Sequence, residues 1–167
     1  GARALRNYAH FDIEDELPQR FLQRLNWLLP EAVRVRAVYR VPERAHARFS
    51  VVSRTYMYTV ALQDNPLWHK HAHLYPLRHK IDLPLLNQCA QLLTRYTYYK
   101  SFSRADPQTS SYICCVGYAR WRLWHGRFLL FIIEANRFLR GMVRSLAGTM
   151  LKVARGSMTP AHFEALL

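Results

Sequence analysis

Apolar and polar positions along this chain change period several times, and each change predicts an element. Tyr8 to Ile13 alternates weakly and predicts a strand. Pro18 suits the first residue of a helix, and Phe21, Leu22, Leu25, Leu28 and Leu29 then recur on one face until Pro30 ends it. Val33 to Arg40 mostly alternates apolar with basic residues, predicting a strand with one arginine-rich face. A longer β-type segment runs from Phe49 to Leu62. Its alternation puts Arg54, Tyr56 and Tyr58 on one face and Ser53, Thr55, Met57 and Thr59 on the other. Polarity does not separate those faces, so both are expected to be partly covered.

Asp82 can cap a helix that starts near Leu83-Pro84 and buries Leu86, Cys89, Ala90 and Leu93. This helix stops before Tyr96-Thr97-Tyr98-Tyr99. Strands at 111–124 and 127–135 flank His125-Gly126, a two-residue connection that reads as a tight hairpin. On the first of them Arg120, Arg122 and Trp124 share one face, and Ala119, Trp121 and Leu123 the other. The stretch Glu134 to Gly148 follows and reads as a helix to about Arg155, with Gly156 as its stop. At about 100° per residue, Phe138, Leu139, Met142, Val143, Leu146 and Met150 form one apolar stripe. Arg137, Arg140 and Arg144 cluster on another side beside Gly141 and Gly148, glycines that suggest a close approach to the backbone. Thr159 caps a last helix with Pro160 in its first position. The order predicts an α+β domain: a mainly antiparallel sheet with helices packed on one side, formed by residues 1–167 as a single domain.

Charge narrows the function. The 167 residues hold 24 Lys and Arg against 11 Asp and Glu, a net +13. Such an excess attracts polyanions, nucleic acid first. An acidic membrane surface ranks second, because the basic residues are spread over strands and helices rather than gathered on one terminal amphipathic helix. No 18-residue apolar run suggests a membrane span, and Gly1 to His10 lacks the apolar core of a signal peptide. Arginine far outnumbers lysine, and its planar fork suits phosphate and stacks on bases. The three cysteines, Cys89, Cys114 and Cys115, form no CxxC, so neither a disulfide framework nor a zinc site is expected and a cytoplasmic location fits. His69, His71, His73 and His79 lie in one loop without a cysteine or carboxylate among them. Their spacing matches no usual zinc pattern, and they read as loop residues facing RNA or solvent.

Nucleophile and phosphate-loop motifs are absent: there is no G-x-S-x-G, G-x-G-x-x-G, P-loop or H-E-x-x-H. Among the sparse carboxylates, Glu134 is unusual in ending a strand beside the organising stretch, and it reads as structural. A basic, aromatic surface supports RNA binding and by itself identifies no reaction.

Several stretches together resemble the tRNA pseudouridine synthase A family. They are Leu25-Asn26-Trp27-Leu28-Leu29-Pro30, His46-Ala47-Arg48-Phe49-Ser50, Ser53-Arg54-Thr55-Tyr56-Met57-Tyr58, Lys100-Ser101-Phe102, and Phe138 to Gly148, which is similar to the family's F-x-x-x-M-V-R-x-(I/L)-x-G element. Order and approximate spacing agree over nearly all of the chain. The resemblance implies isomerisation of uridine to pseudouridine in the tRNA anticodon arm, without cofactor or metal, by a homodimer. It also implies an aspartate for the covalent step, an aromatic residue packed on an extruded base, and a basic residue that keeps the aspartate ionised. By position Tyr56 is similar to the base-contacting tyrosine and Arg144 to the aspartate's partner. Arg48 and Arg54 resemble neighbouring basic positions, which the resemblance implies either hold phosphate or stabilise the site, and His46, opening the motif that carries Arg48, is expected to bind RNA with them. The family's G-R-T-D-x-G-V-H motif is absent from these residues. The chain therefore reads as the carboxy-terminal part of such an enzyme, without its amino-terminal domain and final segment, or as one whose mobile catalytic loop is not among these residues; either way it is expected to be inactive by itself. The competing readings are a non-catalytic RNA-binding domain or inactive homologue, and a structural basic protein.

Overall fold

The run Phe128–Ala135 becomes the second-last strand in the order of a four-stranded sheet and sets its two faces. In the computed structural model, which describes residues 4–68, 71–75, 81–107 and 109–167, the chain forms two units, Gly1–Val51 and Val52–Leu167.

In the second unit the strands are β1 (Arg54–Ala61), β2 (His73–Leu74), β3 (Val116–Trp124) and β4 (Phe128–Ala135), in the spatial order β2-β1-β4-β3. β1 and β3 both run antiparallel to β4, and the short β2 is parallel to β1. The α+β expectation holds: helices α2 (Leu83–Leu92) and α3 (Met142–Ala154) pack on β3 and β1 respectively. α4 (Pro160–Ala165) leans on α2 and α3. The alternation along β4 records which face they cover. Leu129, Phe131, Ile133 and Ala135 are buried, while Phe128, Leu130, Ile132 and Glu134 are half-buried on the helix-free face. Each large apolar side chain fully buried here contributes about 1.5–3 kcal/mol, so the covered face is where the sheet's stability resides.

Local signals explain most of this unit. Asp82 Oδ1 accepts from the Leu85 amide at 2.9 Å, and Thr159 Oγ1 from the His162 amide at 3.1 Å, each capping a helix with proline in its first turn. His125 and Gly126 have φ of 49° and 63°, and the Arg127 amide donates to the Trp124 carbonyl, so the β3–β4 turn twists in the sense its strands require. A bulge between Val116 and Tyr118, at Gly117, shifts the register of β3. It resets the alternation, so that Val116 and Trp121 both face the helices. Edge strand β3 is closed by α2: Asn87 Oδ1 accepts from the Trp121 amide (2.9 Å) and Asn87 Nδ2 donates to the Trp121 carbonyl (3.2 Å). The Trp121 ring stacks on Phe131, 4.9 Å between centroids.

Several sequence expectations are corrected. The stretch from Glu134 is not helical from its start. The helix begins at Met142, after Gly141 with φ 79°; it ends as expected, with Gly156 at φ 77° just beyond. Phe138 and Leu139 do join the core, but from a loop, so the helical stripe was continued by residues that are not helical. A Cβ on Gly148 would meet nothing within 4 Å, so no close approach explains that glycine. The β-type segment starts at Arg54 rather than Phe49, because residues 47–50 form a turn. Likewise the hairpin's first strand starts at Val116; before it, Ile113 makes only an isolated bridge to Tyr98.

In the first unit α1 (Phe21–Leu28) begins three residues after Pro18, because Arg20 at φ 61° interrupts the right-handed run. It buries no residue, and Leu28 is 85% exposed rather than on a buried face. Neither Tyr8 to Ile13 nor Val33 to Arg40 is a strand, since no ladder partner exists among the described residues of this unit. Val35 instead exchanges both backbone groups with the Asn26 carboxamide, at 2.8 and 2.9 Å. The edge-closing role of Asn87 is thus repeated here on a single extended residue. His69 and His79 lie outside the described residues, while His73 lies in β2.

Candidate nucleic-acid and base-contact site

β1 carries Arg54 and Tyr56, and the first turn of α3 carries Arg144. Ladder register sets Arg54 opposite Ala135 and Tyr56 opposite Ile133, so both side chains leave on the helix-covered face. Tyr56 is nonetheless 40% exposed. Its ring meets Phe138 edge-on, 5.0 Å between centroids and 87° between planes. Such pairs contribute about 0.5–1.5 kcal/mol beyond burial. One edge of Tyr56 is thereby held in a fixed orientation.

The loop that supplies Phe138 is anchored at both ends. At its start Asn136 Oδ1 accepts from the Cys115 and Arg137 amides, each at 2.8 Å, and the Asn136 amide donates to the Cys115 carbonyl at 3.1 Å. The Asn136 carbonyl accepts from Arg54 Nη1 at 3.4 Å, tying that guanidinium to the same loop. Further on, the Arg104 amide donates to the Arg140 carbonyl at 2.8 Å, and Arg140 lies 3.7 Å from the Asp106 carboxylate. Gly141 then turns the chain into α3 with a left-handed φ that a side chain would strain. Sequence reading missed Asn136. The signal available was an Asn directly after a β-run and before a glycine-ended loop, a residue type that bonds its own neighbouring backbone.

Arg144 is exposed in the first turn of α3. Burial pushes the Tyr58 phenol above its ordinary value, and the charge of Arg144 opposes that, so the guanidinium's field reaches β1. The helix start has no acidic residue in its first turn and no side-chain cap. A cation beside the positive end of a helix dipole is unfavourable by roughly 0.3–1 kcal/mol. Arg144 thus adds to the positive end of the helix dipole, a potential that an anion would relieve.

Glu134 is excluded from this group by parity. It lies opposite Thr55, on the helix-free face, and its Oε2 accepts from Thr55 Oγ1 at 3.0 Å. The carboxylate is a cross-strand partner, as its sequence position suggested. His46 and Arg48 belong to the first unit, where they form one turn. His46 Nδ1 accepts from the Arg48 amide (3.0 Å), Ser50 Oγ accepts from the His46 amide (3.0 Å), and the Arg48 guanidinium lies 5.6 Å from the Phe49 ring centroid. The His46 ring meets those of His10 and Phe49 at a tilt, with centroids 4.1 and 4.3 Å away. The structure therefore gathers Arg54, Tyr56 and Arg144 in one unit and His46 with Arg48 in the other. Among the described residues no group of three His, Cys, Asp or Glu is placed to hold a metal. No helix among them is long and apolar enough to cross a membrane.

The fold and this set of residues are those of an α+β domain with an exposed arginine and tyrosine, and comparison with known proteins places the chain in a family. Residues 90–167 match the family model described as tRNA pseudouridine synthase. The chain is 33% identical over 160 residues to tRNA pseudouridine synthase A of Azobacteroides pseudotrichonymphae genomovar. CFP2, covering 95% of this chain and 63% of that protein. It is 37% identical over 166 residues to the Parabacteroides distasonis protein of the same name, 98% of this chain and 65% of that one. With the Chlorobaculum tepidum protein of that name, identity is 35% over 168 residues, 100% of this chain and 67% of that one. The chain belongs to the tRNA pseudouridine synthase A family. It spans somewhat under two thirds of the length of the first two of these relatives.

Proposed function

We propose that this chain supplies the base-contacting and arginine-bearing part of an enzyme that isomerises uridine to pseudouridine in the anticodon stem-loop of tRNA, acting in the cytoplasm as a homodimer. The chain is then the carboxy-terminal part of that enzyme. Tyr56 packs on the extruded uracil, and Phe138 keeps its ring presented. Arg144 pairs with the nucleophilic aspartate. That pairing holds the carboxylate ionised, which is the form that can attack carbon. Arg54, with Arg48 and His46, engages the RNA backbone.

The covalent step needs the aspartate to displace uracil from the ribose C1′ and later to be displaced by the ring carbon C5, which releases its hydrogen to solvent while N1 takes one up. The residues present here can bind and orient the base and hold the anion, but none of them matches the aspartate motif. Alone, this chain is inactive.

The reading is supported by a half-exposed Tyr56 set against Phe138, together with an acid-free helix start bearing Arg144, whose charge acts on the neighbouring Tyr58. Incubating the 167-residue polypeptide with tRNA containing tritiated uridine tests it. No tritium release is expected, together with measurable tRNA binding. Release by this polypeptide would overturn the claim of inactivity, and absence of tRNA binding would overturn the RNA reading itself.

A further inference from the structure

The helix-free face of the sheet holds a cavity that the Tyr56 end does not use. Ladder parity places Met57, Thr59, Leu130 and Phe128 on that face, with Trp124 opposite Phe128 at the hairpin end. Trp68, from a short 3-10 turn (Pro66–Trp68), stands 4.6 Å from the Phe128 ring at 60°, and Trp124 lies 5.6 Å from the same ring. These residues, with His71 and Ala72, line a cavity of about 390 Å³. That is within the ~300–1,000 Å³ typical of small-ligand pockets. Its lining is almost wholly apolar and includes no carboxylate.

Charge stands immediately beside it. Arg122 is the cross-strand partner of Leu130, which lines the cavity, and Arg120 is the partner of Ile132 one pair further along. Both arginines are exposed on the same face. The carboxylate on that face of β4, Glu134, is already engaged by Thr55.

We propose that this cavity receives an unstacked nucleobase of the bound RNA, with Arg120 and Arg122 holding the adjoining phosphates. The inference rests on the RNA reading above and adds a second contact surface to it. A nucleobase offers a flat apolar face to aromatic walls, which is how open β-sheet faces hold unpaired bases. Its phosphates supply the negative charge that the arginine row requires. A second copy of this chain is a poorer occupant. A self-complementary contact would bring two Arg120–Arg122 rows together on a chain already at +13.

The test uses the full chain and a tRNA transcript carrying thiouridine in place of uridine, crosslinked by long-wave ultraviolet light. Crosslinks are expected on peptides holding Trp68 or Trp124. Trp124→Ala should weaken binding about five- to 150-fold, the range for losing one base–aromatic stack, with an unchanged salt slope. Arg122→Gln should lower that slope by about one. Trp124 is 51% exposed and Met57 53%, so both positions accept substitution without unfolding; Met57→Glu, which sets a carboxylate at the cavity mouth, should also weaken binding. If crosslinks fall elsewhere and these variants bind tRNA normally, the cavity proposal is overturned while the RNA reading stands. A wild-type chain that binds no tRNA overturns both. If Trp124→Ala instead abolishes self-association or capture of an acidic polypeptide and leaves tRNA affinity intact, the occupant is a protein and the proposal fails.

Discussion

Asn136→Ala is the sharpest probe of how the Tyr56 end of the sheet is held. The substitution removes one acceptor that serves two amides, those of Cys115 and Arg137, both at 2.8 Å. A neutral intramolecular hydrogen bond contributes about 0.5–1.5 kcal/mol net. Two would give about 1–3 kcal/mol, but Asn136 is exposed and water can take over part of the loss. The expected destabilisation is therefore about 1–2 kcal/mol. For a chain of this size that lowers Tm by roughly 2–8 °C. The effect should also be local. Freed of its acceptor, the loop from Asn136 to Gly141 loses its fixed start, and with it the seat of Phe138 against Tyr56 and the carbonyl that receives Arg54. Hydrogen exchange read by mass spectrometry should show faster exchange of the Cys115 and Arg137 amides, with the β3–β4 hairpin protected as before. Asn136→Asp retains the acceptor and places a carboxylate near Arg54 and Arg137, so it should retain most of the stability. Unchanged exchange at both amides in Asn136→Ala, or equal losses in the Ala and Asp variants, would refute the clamp.

Two further outcomes follow from burial. A maleimide reagent at neutral pH should modify Cys115 quickly and leave Cys89 and Cys114 until the protein unfolds, because the latter two are buried and burial pushes their thiols up; three equally fast sites would contradict the core assignment. Burial likewise raises the Tyr99 phenol well above its ordinary value of 10.0, and its hydroxyl donates to the Leu93 carbonyl. Above pH ~10 the unfolded chain then binds fewer protons than the folded one, so stability present below that pH falls as pH rises. Tyr99→Phe should be less stable at neutral pH and show a shallower alkaline decline in a Tm-against-pH series; an identical slope would remove Tyr99 from that role.

The hairpin, α2 and α4 were legible in the sequence because their determinants are local. A two-residue turn with glycine, an Asp82 or Thr159 cap and a proline in the first turn each act within a few residues. The start of α3 was not legible. Phe138 and Leu139 bury themselves from a loop at positions that happen to continue a helical period, and only the left-handed φ of Gly141 reveals the break. Val33 to Arg40 shows the complementary failure. Its alternation is that of a strand, but a strand requires a ladder partner, which its own residues cannot supply. For the site, alternation alone put Arg54 and Tyr56 on one face. Nothing in the pattern separated Arg144 from Arg137 and Arg140; the resemblance did that. The structure adds a physical distinction. Arg140 lies near the Asp106 carboxylate and Arg137 sits in the loop, whereas Arg144 occupies a helix start with no acidic residue.

The central claim is that Tyr56 acts on the extruded base. It is tested most directly by tritium release from tRNA containing tritiated uridine, comparing wild type and Tyr56→Ala in the full-length gene product, with tRNA affinity measured alongside. The account predicts that turnover is nearly abolished while much of the affinity remains, since Arg54 and the other basic residues still meet the backbone. Turnover at the wild-type rate in Tyr56→Ala would contradict it.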